Sequence, residues 1–332
     1  MGIKTLRKLQ FGAETDAGTA VAADSHWRGT GVLTDERKIV KPDEDTGIAG
    51  GKNRSYIPYA LSGIKLESTP VTFEQLPHIL EMGIKTATPA QDGAGSGYSY
   101  VYTAPTTAAN TIKTYTWEAG DDQQEEEVEY CYCEEFTISG APQEAVMIEA
   151  VLRGRQTTKS TFTSSLTAAT VETALFGKTS LYIDAINAAA IGTTAKTATL
   201  LGFKFTYKTG LEPIWGDGNL YFIQPIYRGH EATLELTLLY NANGEAQVDA
   251  MIAETPQLFR IRIVGAALTG GTLGTKTINI DCAGKYEAKP SLEDEDGLNT
   301  VNLKVLCSYD PAATNFLKSA EITVVNELSA LP

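Results

Sequence analysis

The sequence predicts a mainly β protein, built as two tandem β-sandwich or barrel domains, each with one short flanking α-helix. Three observations lead there. Thr/Val/Ile-rich segments with period-two alternation run through most of the 332 residues, punctuated by 30 glycines and enriched by 15 tyrosines. Helical periodicity surfaces in only two short stretches. Those two stretches stand at similar places in an order of events that occurs twice along the chain.

The first stretch is Ser62–Ile84. Ile64 and Leu66 alternate as on a half-buried strand, and then Phe73, Leu76, Ile79, Leu80 and Met82 repeat at helical spacing. Thr72 and Gln75 have the form of a capping box, and Gly83 stands where a left-handed C-terminal cap would end the helix. Pro77 falls five residues into that helix, where a lost backbone bond costs about 3 kcal/mol in an ordinary interior. The helix must then be held by packing its Phe73/Leu76/Leu80 face on a sheet. In the second stretch, Thr233–Ala253, a strand to Tyr240 alternates, and Asn243 caps a helix through Val248, Met251 and Ile252.

Residues 1–26 are rich in small side chains and lack periodicity, which suits either a mobile terminus or an arm that orders against a neighbouring subunit. Residues 27–158 make the first β domain. In it, Tyr98–Thr103 and Thr111–Trp117 are expected to form a hairpin, and Asp121–Glu127 a solvated acidic loop. Val128–Ile138 and Glu144–Arg153 are strands joined by a turn, the second directing Val146, Ile148, Ala150 and Leu152 to the core. Residues 159–196, rich in Thr, Ser and Ala, read as a connector. Residues 197–332 make the second β domain and a C-terminal tail. There Phe203, Phe205 and Tyr207 share one face, Gly216-Asp217-Gly218 signals a hairpin, and Lys276–Ala288 and Thr300–Tyr309 flank the acidic turn Glu293–Gly297. In each half the capped helix precedes a cysteine-bearing strand (Cys133, Cys282) and then a core strand. Corresponding features lie about 170 residues apart at the helices and about 150 at the cysteines, which both a duplication and two unrelated sheet domains accommodate.

A net charge of -14 argues against a conventional nucleic-acid binder, which needs a basic face, but not against a surface that repels DNA. A hydrophobic fraction of 42% and a mean hydropathy of -0.14 suit a soluble protein, and no run approaches the roughly 18 apolar residues of a membrane span. The N-terminal MGIKTLRKLQFG lacks the apolar core of a secretory leader, and Leu6 breaks the myristoylation pattern. Cys131, Cys133, Cys282 and Cys307 read as reduced core residues of an intracellular product. His26, His78 and His230 have no second ligand at metal-binding spacing. Phe176-Gly177-Lys178-Thr179 resembles the end of a P-loop, yet Glu172 stands where its first glycine belongs. Asp294-Glu295-Asp296-Gly297 lacks calcium ligands at Leu292 and Leu303. No catalytic, cofactor-binding or metal-binding residue is predicted, so the chain reads as a structural or binding protein, not an enzyme.

One resemblance runs nearly the full length. Trp27-Arg28-Gly29-Thr30-Gly31, Asp43-Glu44-Asp45, Arg54-Ser55-Tyr56-Ile57-Pro58 and Phe73-Glu74-Gln75-Leu76-Pro77 come first. LRGRQ (Leu152–Gln156), TGLEPIWGDGNLYF (Thr209–Phe222), DCAGKYE (Asp281–Glu287), EDEDG (Glu293–Gly297) and VVNE (Val324–Glu327) follow. In this order they resemble the major tail tube proteins of long-tailed, siphovirus-type bacteriophages. The resemblance implies tail-tube-like β domains that assemble in the host cytoplasm into rings, stacked as a virion tube through which double-stranded DNA passes without specific binding. It also implies contacts with tape-measure, tail-terminator and tail-tip proteins, and no membrane. Two domains per chain favour a trimeric ring of pseudo-six-fold symmetry, with a hexamer as the alternative. An acidic lumen would repel phosphates, with Glu127, Glu129 and Glu235 as candidate lining residues. A tail terminator or decoration protein is the competing reading. A carbohydrate-binding adhesin module using Tyr98, Tyr100, Tyr102 and Tyr115 is a more distant one.

Overall fold

The computed structural model describes residues 3–50, 53–287, 292–295 and 297–332. Strands dominate, as expected. In chain order they are β1 (Lys8–Ala13), β2 (Ser25–His26), β3 (Gly31–Arg37), β4 (Ala60–Pro70), helix α1 (Leu76–Gly83), β5 (Ala90–Gln91), β6 (Tyr98–Thr103) and β7 (Tyr115–Gly120). There follow β8 (Glu125–Gly140), β9 (Met147–Gly154), β10 (Thr157–Ser160), β11 (Thr179–Ala185), β12 (Leu200–Lys208), β13 (Leu211–Ile214), β14 (Gln224–Tyr227) and β15 (Glu231–Leu239). Helix α2 (Ala242–Ile252), β16 (Gln257–Ala267), β17 (Thr275–Tyr286), β18 (Leu292–Glu295), β19 (Leu298–Cys307) and β20 (Ala320–Asn326) complete the described strands and α-helices.

Every strand pairing among the described residues is antiparallel. A long sheet runs β3–β4–β9–β8–β12–β15–β19, with the end of β17 and then β18 along the far side of β19. The first half of β8 turns into a second sheet, β2–β1–β7–β8–β10. The first part of β17 belongs to a third, β11–β16–β17–β20–β6–β5. One cluster of buried apolar residues continues from Leu9 and Phe11 through Phe136 and Phe205 to Ile322 and Val324.

One succession of pairings occurs twice. The first run has β1–β7, β7–β8, β8–β10, β8–β9, β9–β4 and β4–β3. The second has β11–β16, β16–β17, β17–β20, β17–β19, β19–β15 and β15–β12, in the same chain order. Each run places its helix after the third strand. The sheets do not separate at residues 159–196, however: β12 pairs with β8, and β6 pairs with β20.

β8 serves two sheets because it bends at Tyr130, whose φ of 58° is uncommon for a residue with a Cβ. Glu14 fixes the bend by accepting from Tyr130 N at 2.7 Å. Arg155 lies with its guanidinium 5.4 Å from the Tyr130 ring and pairs with Glu129 at 2.6 Å.

Several local expectations change. Residues 8–13 and 25–26, inside the expected arm, are strands, and Phe11 is fully buried among Trp27, His78, Tyr115 and Trp117. Within the expected connector lies β11, whose Leu181 and Ile183 enter the core. β6 and β7 form no hairpin, because β6 finds β20 and β7 lies between β1 and β8. The expected acidic loop shortens to a turn, since β8 begins at Glu125. Ala288, at the end of an expected strand, and Asp296 of the acidic turn lie outside the described residues.

Helix α1 starts at Leu76, so Pro77 occupies the first turn, where its missing N–H costs no intrahelical bond. Thr72 Oγ1 does accept from Gln75 N at 3.2 Å, but the Gln75 side chain does not return to Thr72. It bonds Arg28 N and His26 O instead, at 2.9 and 2.6 Å. Gly83 is the last helical residue and not a left-handed cap. A Cβ there would lie 2.9 Å from Thr209 Cγ2 and 3.3 Å from Cys133 Cβ, so its role is to let the helix approach β8. All eight α1 residues are buried, so α1 is enclosed and does not flank the sheets.

In α2 the cap is Asn241, two residues before the expected Asn243, and its side chain accepts from Asn243 N and Gly244 N. Asn241→Ala is expected to cost about 1 kcal/mol in a urea unfolding experiment, the usual value of an N-cap.

Candidate assembly surface

The long sheet turns one face to the core and leaves the other open. Period-two alternation decides which residue goes where. On β12, Phe203, Phe205 and Tyr207 point inward and Lys204, Thr206 and Lys208 outward. On β15 the inward set is Ala232, Leu234, Leu236 and Leu238, and the outward set Glu231, Thr233, Glu235 and Thr237. β9 buries Ile148, Ala150 and Leu152, the core face that the sequence predicts, and exposes Glu149.

Register then sets cross-strand neighbours on the open face. Glu135 of β8 stands opposite Lys208, which stands opposite Glu231. Lys204 stands opposite Glu235, and Glu235 opposite Lys304. Between these charged rows lie hydroxyl and amide groups: Thr137 and Thr206 are 3.2 Å apart, and Thr237 Oγ1 donates to Asn302 Oδ1 at 2.7 Å. Charges of opposite sign alternate from strand to strand, an arrangement that favours this pairing and leaves the face with little net charge. Individual bridges such as Lys208–Glu231, at 3.6 Å and well exposed, add little stability.

Of the three candidate lining acids, only Glu235 lies on this face. Glu127 takes a hydrogen bond from Thr158 at 3.2 Å, and Glu129 is held by Arg155, both in the β1–β7–β8–β10 sheet. The lysines that balance Glu235 were visible as letters, but their role depends on a register no local pattern shows. Alternation of Lys204, Thr206 and Lys208 opposite an aromatic face was the one signal available.

The two ends of the long sheet are open edges. Among the described residues β3 pairs only with β4, and β18 only with β19. The other side chains singled out from sequence are structural. Tyr100, Tyr102 and Tyr115 are fully buried, so they present no platform for a sugar. His78 is buried against Tyr115, with Nδ1 3.0 Å from the phenol oxygen, and burial lowers its pKa to about 3. His230 bonds Tyr227 and Ser319. Cys131, Cys133 and Cys282 are buried free thiols and Cys307 is partly buried. No group of three or more His, Cys, Asp or Glu among the described residues could hold a metal ion, and no helix among them is long and apolar enough to cross a membrane.

One buried acid is out of balance with its surroundings. Neither carboxylate oxygen of Glu125 has a hydrogen-bond partner among the described residues. Burial, then the nearby Glu118, Glu127 and Glu126, raise its pKa from 4.5 to about 7. A carboxyl whose folded pKa is raised favours folding while protonated, so this contribution is full below pH 4.5 and is lost as pH rises through about 7. Glu125→Gln is expected to raise stability by about 2 kcal/mol at pH 8 and by much less at pH 5. Urea midpoints at the two pH values check this, and equal shifts at both would contradict it.

No protein-family model matches this chain, and no curated protein is significantly similar to it in sequence.

Proposed function

We propose that the chain is a structural virion subunit that closes with copies of itself into rings, the rings stacking into the tail tube of a long-tailed bacteriophage. The long sheet is the observation that carries this. Its runs β3–β4–β9–β8 and β12–β15–β19–β17 repeat one pairing order and meet at β8–β12. The remaining edges, β3 at one end and β17–β18 at the other, are the counterparts of β12 and β8. A second copy can therefore lay its β3 along β17–β18 and continue the sheet. This is a heterologous contact of the kind that closes into rings, and it removes both exposed edges.

On this reading the two runs are tandem tail-tube-like domains, each with its helix. Their boundaries fall outside those expected from the sequence, because β1 and β11 are the corresponding outer strands of the first and second units. Three chains then make a pseudo-six-fold ring, with six chains as the alternative. The open face lines the bore. On this reading the lining is alternating Lys and Glu, with Thr and Asn between, and of the acids expected there it includes Glu235. Such a lining offers duplex DNA no continuous cationic track, so the phosphates are not held as the DNA passes. Tape-measure, terminator and tip proteins are the further partners that the family resemblance supplies, and the virion tail is the location.

Negative-stain electron microscopy and light scattering of the concentrated protein test the proposal. Rings of about three chain masses that stack into tubes are expected. Single rings that never stack favour the terminator reading, and a protein that stays monomeric at high concentration overturns both.

A further inference from the structure

The junction between the two runs holds more than the β8–β12 pairing. Between β12 and β15 the chain makes the β13–β14 hairpin, which lies across that junction on the first run. Phe222 is fully buried there, its ring 5.3 Å from Tyr130 and 6.0 Å from Tyr132, with Leu61 and Leu211 in the same cluster. Trp215 packs on Tyr59 at 5.2 Å, and Leu220 O accepts from Ala60 N at 3.1 Å. This cluster is separate from the main core.

The segment between β3 and β4 has the same place in the first run. It too is closed by a bridge, Val40 to Tyr56, with hydrogen bonds of 2.9 and 3.0 Å. Three of its apolar side chains are exposed: Ile39 is 63% exposed, Tyr56 52% and Ile57 40%. The second run leaves apolar side chains exposed at the corresponding end, beside Lys285, the counterpart of the Tyr132 that Phe222 covers in the first run. Leu306, opposite Lys285, holds the position on β19 that Arg153, opposite Tyr132, holds on β9. Leu306 is 43% exposed, and Tyr309 just beyond it 55%.

We infer that the bridged strap formed by Ile39–Val40 and Tyr56–Ile57 docks on the β17–β19 end of a second copy of this chain, burying Ile39, Tyr56 and Ile57 against Leu306 and Tyr309 of that copy. The β13–β14 hairpin is the internal template. One contact is made within the chain, and its counterpart is completed between chains. The inference rests on the ring reading and adds a second lateral contact, independent of the sheet edges. Ile39 and Tyr56 are exposed in the single chain, so Ile39→Ser with Tyr56→Ser should leave its unfolding midpoint unchanged.

The double variant is expected to raise the concentration needed for ring assembly at least about ten-fold. In the unmodified protein, amide exchange of the segments around residues 39 and 56 should slow on assembly. Rings that form with these amides unprotected, or a double variant that assembles like the parent, overturn the strap contact and leave the ring reading standing. A protein that forms no rings overturns both.

Discussion

Replacing Lys276 with methionine is expected to lower stability by about 3–5 kcal/mol, the cost of stripping a buried ionic group of its counter-charge. Lys276 Nζ lies 2.8 Å from Glu74, 3.2 Å from Glu327 and 3.7 Å from Glu172, and its side chain is 12% exposed. Burial pulls its pKa down, but hydrogen bonds and attraction from Glu74 and Glu327 more than offset this, and the net shift is upward. Glu74 in turn accepts from Glu172 N at 2.8 Å. The lysine comes from β17, Glu74 from the turn before α1, and Glu327 from just beyond β20, so the cluster ties both runs together. Without the ammonium, Glu74 stays buried beside two other carboxylates. Urea denaturation measures the loss, and Lys276→Met combined with Glu74→Gln should recover part of it. A loss below about 1 kcal/mol would place the cluster among ordinary surface pairs.

Removing the Glu14 carboxylate should cost a similar amount. It accepts from Gly18 N and Tyr130 N at 2.7 Å each, and from Thr114 Oγ1 and Thr116 Oγ1 at 2.7 and 3.0 Å. A hydrogen bond to a charged acceptor contributes about 1.5–3 kcal/mol, and the four are not additive, so Glu14→Ala is expected to lose about 3–4 kcal/mol. Glu14→Gln should recover little, because an amide nitrogen would face donors. Beyond the change in urea midpoint, exchange of the Tyr130 amide should accelerate more than ten-fold, since that N–H loses its partner at the bend of β8. An unchanged exchange rate would mean that the bend is held by Arg155 and packing instead.

These two clusters lie where local sequence patterns say least. Alternation found β9, β12 and β15, with the core face of β9 and the aromatic face of β12, because each of those strands buries one side only. It missed β1, where Leu9, Gln10 and Phe11 are all buried: Gln10 Nε2 reaches Glu118 at 3.1 Å, so polar and apolar positions are equally enclosed. β11 was lost within a Thr/Ser/Ala-rich stretch whose composition outweighs its seven residues. The proline in α1 misled for a related reason. The helical spacing begins at Phe73, but residues 73–75 form a turn, and a helix begun at Leu76 holds Pro77 without cost. For the open face, individual charges were legible, yet their cancellation across strands depends on register, which is a long-range property.

The place of β20 sets a timing constraint. Its seven residues lie between β17 on one side and β6 on the other, and β6 precedes it by more than two hundred positions, as in Tyr102 against Ile322. A nascent chain therefore carries β6 without its principal neighbour until Ala320–Asn326 have been synthesised. Sheet completion is a late event of high contact order, slow by the entropy of so long a loop. During that interval β6 is the segment a chaperone would have most reason to hold.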